Sequence, residues 1–300
     1  MTAHDNADYA AAAAGLVERS ARAFADAIPA QPADDGYFGP ASVTWRVAAD
    51  LAAPVAGLRA LLLQALHPLA MAGVDQHSDW RQDPVGRLAA TSAYLATITF
   101  GDRAAADLAA GRVRKIHDHV QGTDTVTGQP YAAGDPALLL WVHATFVDSG
   151  LVASELFGVR LTAADADAYV REMRVSAELL GTPPDMLPAD AAGLRDYVER
   201  VVPDLRNTPA ATDSMTYLLD PPGMDEDIAE LWADVRAAVV ASLPAWALDR
   251  YGLAAPPPLT PARRDEIRGT LGMLDAVFIG EPGVLEARQR ITLRTRRAAG

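Results

Sequence analysis

The stretch "DPALLLWVHATFVDSGLVASELFGV", Asp135 to Val159, decides how the chain is read. Asp135 can accept from the unpaired backbone N–H groups that open a helix. Pro136 suits the first helical position, where a missing N–H costs nothing. The residues that follow are apolar around most of the helix, as a buried helix requires. His143 and Asp148 interrupt the run, so it is not expected to be an uninterrupted membrane span.

Working outward, the same signals recur. Asp83-Pro84 opens a helix over "VGRLAATSAYLATITFG", and Asp102 to Val120 reads as another. "VAGLRALLLQALHPLAMAGV" (55–74) is helical in pattern, with Pro68 stopping or kinking it just past His67. "TAADADAYVREMRVSAELLG" ends at Gly181, and Pro183-Pro184 blocks continuation. Later helices are expected within 189–202, 225–243 and 260–278, and an alanine-rich one within 8–28. The connector "QGTDTVTGQPYAAG" is full of turn formers and leaves room for a short hairpin near 121–133. Strand-like alternation is otherwise scarce. The expected fold is all-α, a single large mostly helical domain over 37–285. Residues 1–36 form a peripheral helix and loop, and 286–300 a basic tail.

Composition narrows the function. With 300 residues and half of them hydrophobic, the chain can bury a large core. A net charge of -13 argues against nucleic acid as a partner. The absence of cysteine excludes disulfides, thiolate nucleophiles and iron–sulfur ligation. The N-terminus carries acids where a secretory signal would be basic, and the expectation is a cytoplasmic protein with no integral membrane segment. Dinucleotide, P-loop, nucleophile-elbow and zincin motifs are all absent, as are the Glu-x-x-His pairs of di-iron bundles.

Histidines remain. In "RVRKIHDHVQG" (112–122), a helix advances about 100° per residue. Val113, Ile116, His117 and Val120 then share one side, while Arg112, Lys115 and His119 face solvent. His117 and His119 point apart and cannot hold one metal ion from a regular helix. His117, with Arg114 one turn before it, is either a core histidine satisfied by a carbonyl or an axial ligand to a cofactor in an apolar pocket. Haem suits the second reading, because imidazole binds iron and arginine pairs with a propionate. His143 is either a hydrogen-bonded core residue or a pocket-lining or second axial histidine. Arg87 and Thr91, four apart, are either an exposed pair or a polar pair facing a cofactor. His67 belongs to a helix end, and His77 to a polar loop.

Several stretches, in order, resemble the latex-clearing-protein / MpaB-type oxygenase family: "YFGPASVTWRV", "GLRALLLQALHPLAMAGVDQHSDW", "DPVGRLAATSAYLATITFGD", "RVRKIHDHVQG" and "GDPALLLWVHATFVDS". "LLGTPPDMLP" and "LPAWALDRYGL" continue the likeness more weakly. The resemblance implies a helical haem b protein that uses dioxygen to cleave isoprenoid double bonds. It makes His117, within an Arg-x-x-His pattern with Arg114, the iron ligand. It sets Arg87 and Thr91 on the distal side, where the Arg-x-x-Lys-Thr pattern of rubber oxygenases has its lysine replaced by Ala90. That departure puts rubber cleavage in doubt.

The expected activity is therefore a haem-dependent oxygenase or peroxidase-like oxidoreductase, with dioxygen or peroxide and a small apolar, unsaturated substrate. His117 and Arg114 hold haem b, and Arg87, Thr91 and His143 act beside it. The alternative is a non-catalytic helical carrier or sensor of haem or lipid.

Overall fold

A computed structural model describes residues 33–278, except residue 225. Among them the chain forms α1 (Val43–Ala48), α2 (Ala53–Ala65), α3 (Pro68–His77), α4 (Pro84–Phe100) and α5 (Arg103–His117). A two-stranded antiparallel hairpin follows, β1 (Gln121–Thr123) and β2 (Pro130–Ala132), with Gly122 opposite Tyr131. Then come α6 (Pro136–Phe157), α7 (Ala163–Leu180), α8 (Ala191–Val201), α9 (Pro209–Leu219), α10 (Glu226–Ser242), α11 (Ala245–Tyr251) and α12 (Pro261–Phe278). The fold is all-α with one short hairpin, as the sequence implied. The expected helix within 8–28 and the basic tail over 286–300 lie outside the described residues.

The helix starts are local chemistry. Asp83 accepts from Gly86 N at 2.9 Å, Asp102 from Ala105 N at 2.9 Å and Asp135 from Ala137 N at 2.8 Å. Each satisfies one of the donors that a helix leaves unpaired at its start. Thr162 and Asp165 form a reciprocal capping box, and Gly181 closes α7 at φ 105°. At Pro68 the chain turns by 101° between α2 and α3, and His67 caps the second helix through Nδ1.

α2 and α6 form the centre, with α7, α8, α9, α10 and α12 packed around them. Trp141 and Phe157 on α6 and Leu62 and Leu63 on α2 are almost wholly buried. One ion pair lies inside this apolar contact. Arg59 on α2, 3% exposed, meets Asp148 on α6 at 2.7 Å. It also donates to Ser149 Oγ at 2.8 Å and to the Ser242 carbonyl at 2.9 Å. Those bonds satisfy a cation that burial alone would strongly penalise.

Despite His143 and Asp148, α6 runs unbroken for 22 residues and is long and apolar enough to cross a membrane. Two bent helix pairs, one of them α2 with α3, pass the same test only if each counts as one span. This corrects the expectation that no stretch reads as a span. Asp148 is paired with Arg59 and so does not break the helix. Most of the apolar surface of α6 is spent on the bundle.

Candidate functional site

α4 and α5 are joined through Gly101-Asp102 and pack directly against each other. Arg87, Thr91, Tyr94 and Ile98 follow one another at helical spacing along α4, and Ala106, Ala110, Arg114 and His117 do so along α5. Near the turn, Ile98, Ala106 and Ala110 form a small apolar cluster flanked by Tyr94 and Leu179. Farther out, the charge of Arg114 acts on the Tyr94 hydroxyl. At the far end the charge of Arg87 acts on His117. An antiparallel register thus brings Arg87, Thr91, Arg114 and His117 onto one helical hairpin. α1 packs on α4 and α7 on α5, which ties the hairpin to the bundle.

His117 ends α5 and is half-buried. Its Nδ1 is fully buried and has no hydrogen-bond partner. Burial, then the nearby Arg87 charge, lowers its pKa, with Asp118 opposing. The imidazole is therefore neutral at pH 7 and keeps a lone pair for a ligand. A buried nitrogen without a partner costs free energy, so the site has a bond left to make. The satisfied core histidine of the first reading does not describe it.

Two details differ from the sequence reading. Ile116 does not share the inner face; it is 60% exposed. α5 ends at His117 rather than Val120, because the chain turns there into β1. His119 is exposed as expected, and its Nδ1–H donates to the Lys115 carbonyl at 2.7 Å.

Arg114 donates to the Leu179 carbonyl at the end of α7, and no carboxylate among the described residues pairs with it. Arg87 is exposed to solvent, yet surrounding protein lowers its pKa through desolvation. Thr91 is half-buried and its hydroxyl donates to the Arg87 carbonyl at 3.0 Å. Ala90, beside them, is exposed.

His143 stands apart, on α6. Burial, helped by Arg174 of α7, pushes its pKa down from 6.5 to about 4, although the side chain keeps partial exposure. No hydrogen bond joins it to the α4–α5 hairpin. Arg174 is itself held by the carbonyls of Pro184, Leu187 and Pro188. His67 caps α3, and its ring lies 6.1 Å from that of Trp141. His77 is the last residue of α3 rather than a loop residue. Its Nε2 lies 3.2 Å from the Gln121 carbonyl and 3.1 Å from the Tyr131 hydroxyl, which docks the β-hairpin.

Among the described residues no group of three or more His, Asp or Glu side chains could hold a metal ion. A site of side chains alone is thus poorly provided for. A haem iron needs only an axial donor, since the porphyrin supplies the rest. The unpartnered Nδ1 of His117, and Arg114, which meets no carboxylate among the described residues, fit such a group. Tyr94 escaped the sequence reading, although it lies three residues after Thr91 on the stripe that begins at Arg87. Its buried hydroxyl also has no partner.

Comparisons with known proteins bear on the fold and the family. No curated protein matches the chain. A solved structure of latex clearing protein in its closed state is similar, with 20% identity and a TM-score of 0.51 over 93% of this chain and 74% of that one. At that identity the likeness speaks to the fold. Residues 45–276 match the family model described as "ER-bound oxygenase mpaB/B'/Rubber oxygenase, catalytic domain", a span that contains α4, α5 and α6 entire. The chain belongs to the mpaB/rubber oxygenase catalytic-domain family.

Proposed function

We propose that this oxygenase-family chain works as a haem b-dependent oxygenase, with His117 as the protein's iron ligand. The observation that carries the reading is the neutral, half-buried His117 with an unpartnered Nδ1, on the same hairpin as Arg87, Thr91 and Arg114. A neutral imidazole is the form that ligates a metal. Bound haem would supply the redox and oxygen chemistry.

The chain's own residues bind and orient. Arg114, held by the Leu179 carbonyl, keeps donors free for an anionic group. Burial, with the positive charge of Arg87 added to it, keeps the His117 imidazole unprotonated, and that charge favours developing negative charge nearby. The Thr91 hydroxyl is fixed by the Arg87 carbonyl and offers its lone pairs as acceptors. His143, neutral at pH 7, lines the bundle side and can accept a proton only in acid. The substrate class is a small apolar unsaturated molecule, in keeping with a family whose description names rubber oxygenase. The oxidant is dioxygen or peroxide.

The test is turnover. Haem-loaded protein is incubated with an oxygen electrode and a panel of unsaturated isoprenoids, and carbonyl products are trapped with a hydrazine reagent. Oxygen uptake with carbonyl formation on at least one member supports the reading. Spectral binding of haem without turnover by oxygen or peroxide across the panel favours the carrier or sensor instead.

A further inference from the structure

Tyr94 and Arg114 share one unexplained property: each keeps polar donors that the fold leaves unused, the Tyr94 hydroxyl enclosed and the Arg114 guanidinium at the exposed face of α5. The Tyr94 hydroxyl is enclosed and has no hydrogen-bond partner. Tyr94 packs on the small cluster of Ile98, Ala106 and Ala110 together with Leu179, whose carbonyl Arg114 holds, so both groups sit beside the same residue, and burial keeps the hydroxyl protonated and a donor. Arg114 spends one nitrogen on the Leu179 carbonyl and meets no carboxylate among the described residues. Its second terminal nitrogen lies close to Gly111, 3.8 Å from where a Cβ there would stand, so the guanidinium folds back along α5. A neutral O–H beside a guanidinium is a donor set suited to a carboxylate, which accepts from both at once.

We propose that the Tyr94 hydroxyl and the Arg114 guanidinium form a carboxylate-binding pair across the α4–α5 hairpin. The shared chemistry is one carboxylate, either a haem propionate or a carboxylate on the substrate. The propionate source rests on the haem reading above; the pair itself does not. His117 lies one turn beyond Arg114 on α5, so a group held by the pair is anchored next to the imidazole. Tyr94 is a binding and positioning residue here, with no role in proton transfer.

Two binding arms test the pair on the full chain, purified without haem. In the first, hemin and hemin dimethyl ester are titrated and the Soret band is followed. In the second, dodecanoate and dodecanol are titrated by calorimetry. The wild-type protein is expected to prefer the free carboxylate by about tenfold in one arm, the scale of a charge-assisted hydrogen bond. Tyr94→Phe and Arg114→Gln are each expected to weaken that preference and leave the neutral ligand's affinity unchanged. A preference for hemin over its ester assigns the carboxylate to the propionate, and one for dodecanoate to the substrate.

Equal binding of acid and neutral forms by the wild type in both arms overturns the pair. So does a preference that Tyr94→Phe leaves undiminished. Failure to bind hemin at all removes the haem reading, and the pair is then judged on the dodecanoate arm alone. A structural role for the hydroxyl is tested separately, since deleting a partnerless buried O–H leaves thermal stability unchanged or raised, whereas a structural one would lower it.

Discussion

The Arg87 guanidinium on α4 acts on the His117 imidazole on α5 and helps hold its pKa below 6.5. The two residues are thirty apart in sequence, and the antiparallel helical hairpin brings them together. A cation beside a histidine is a poor arrangement for a structural histidine, which gains nothing from it. It suits a histidine that must stay unprotonated to bind something.

Replacing Arg87 by Gln should raise the His117 pKa toward its ordinary value, without restoring it fully, because burial is the larger cause. Imidazole proton resonances of the haem-free protein, followed against pH, measure this. No change on substitution would show that the guanidinium does not act on His117.

His143 makes a distinct pH prediction. Its folded pKa of about 4 lies below the ordinary 6.5, so the unfolded chain binds the proton first as pH falls. Stability is therefore unaffected above 6.5, drops between 6.5 and about 4, and loses nothing more from this residue below that. His143→Gln should flatten that window by roughly 2 kcal/mol. Chemical denaturation at several pH values reads it, and an equally steep loss in the variant would count against the burial argument.

Arg59→Leu should destabilise the fold by roughly 3–5 kcal/mol, because it leaves the Asp148 carboxylate in the core contact without its partner. Denaturant midpoints of the two proteins measure the loss. A change below about 1 kcal/mol would mean that solvent or another group replaces the guanidinium.

Much of the fold was legible because helix ends are local. Asp83, Asp102 and Asp135 cap the helices they precede, and Gly181 ends the one it follows; each signal lies within a few residues. The split between His117 and His119 was also legible, since helix phase alone turns them apart. The error at Ile116 came from the end of the same helix. Ile116 stays exposed in the last turn while His117 beside it is half-buried, and periodicity cannot say where packing stops. The short α1 and α11, of 6 and 7 residues, carried too few residues to declare themselves, and α9, as long as α8, was missed as well.

The candidate site was legible in pieces only. Arg87 with Thr91, and Arg114 with His117, were each visible on their own helix. The register that pairs Arg87 with His117 and Tyr94 with Arg114 is tertiary and has no mark in a single sequence. Tyr94 could have been found by extending the Arg87–Thr91 stripe one turn. The exposure of Arg87 beside its desolvation, and the tie of His143 to Arg174, needed the packed chain.

The central claim is that His117 binds haem iron. Titrating hemin into haem-free wild-type protein, His117→Ala and His119→Ala, with the Soret band as readout, tests it most directly. A Soret band in the wild type and in His119→Ala, lost or weakened at least about tenfold in His117→Ala and restored by added imidazole, is the predicted result. An unchanged band in His117→Ala, or no band in the wild type, would contradict it.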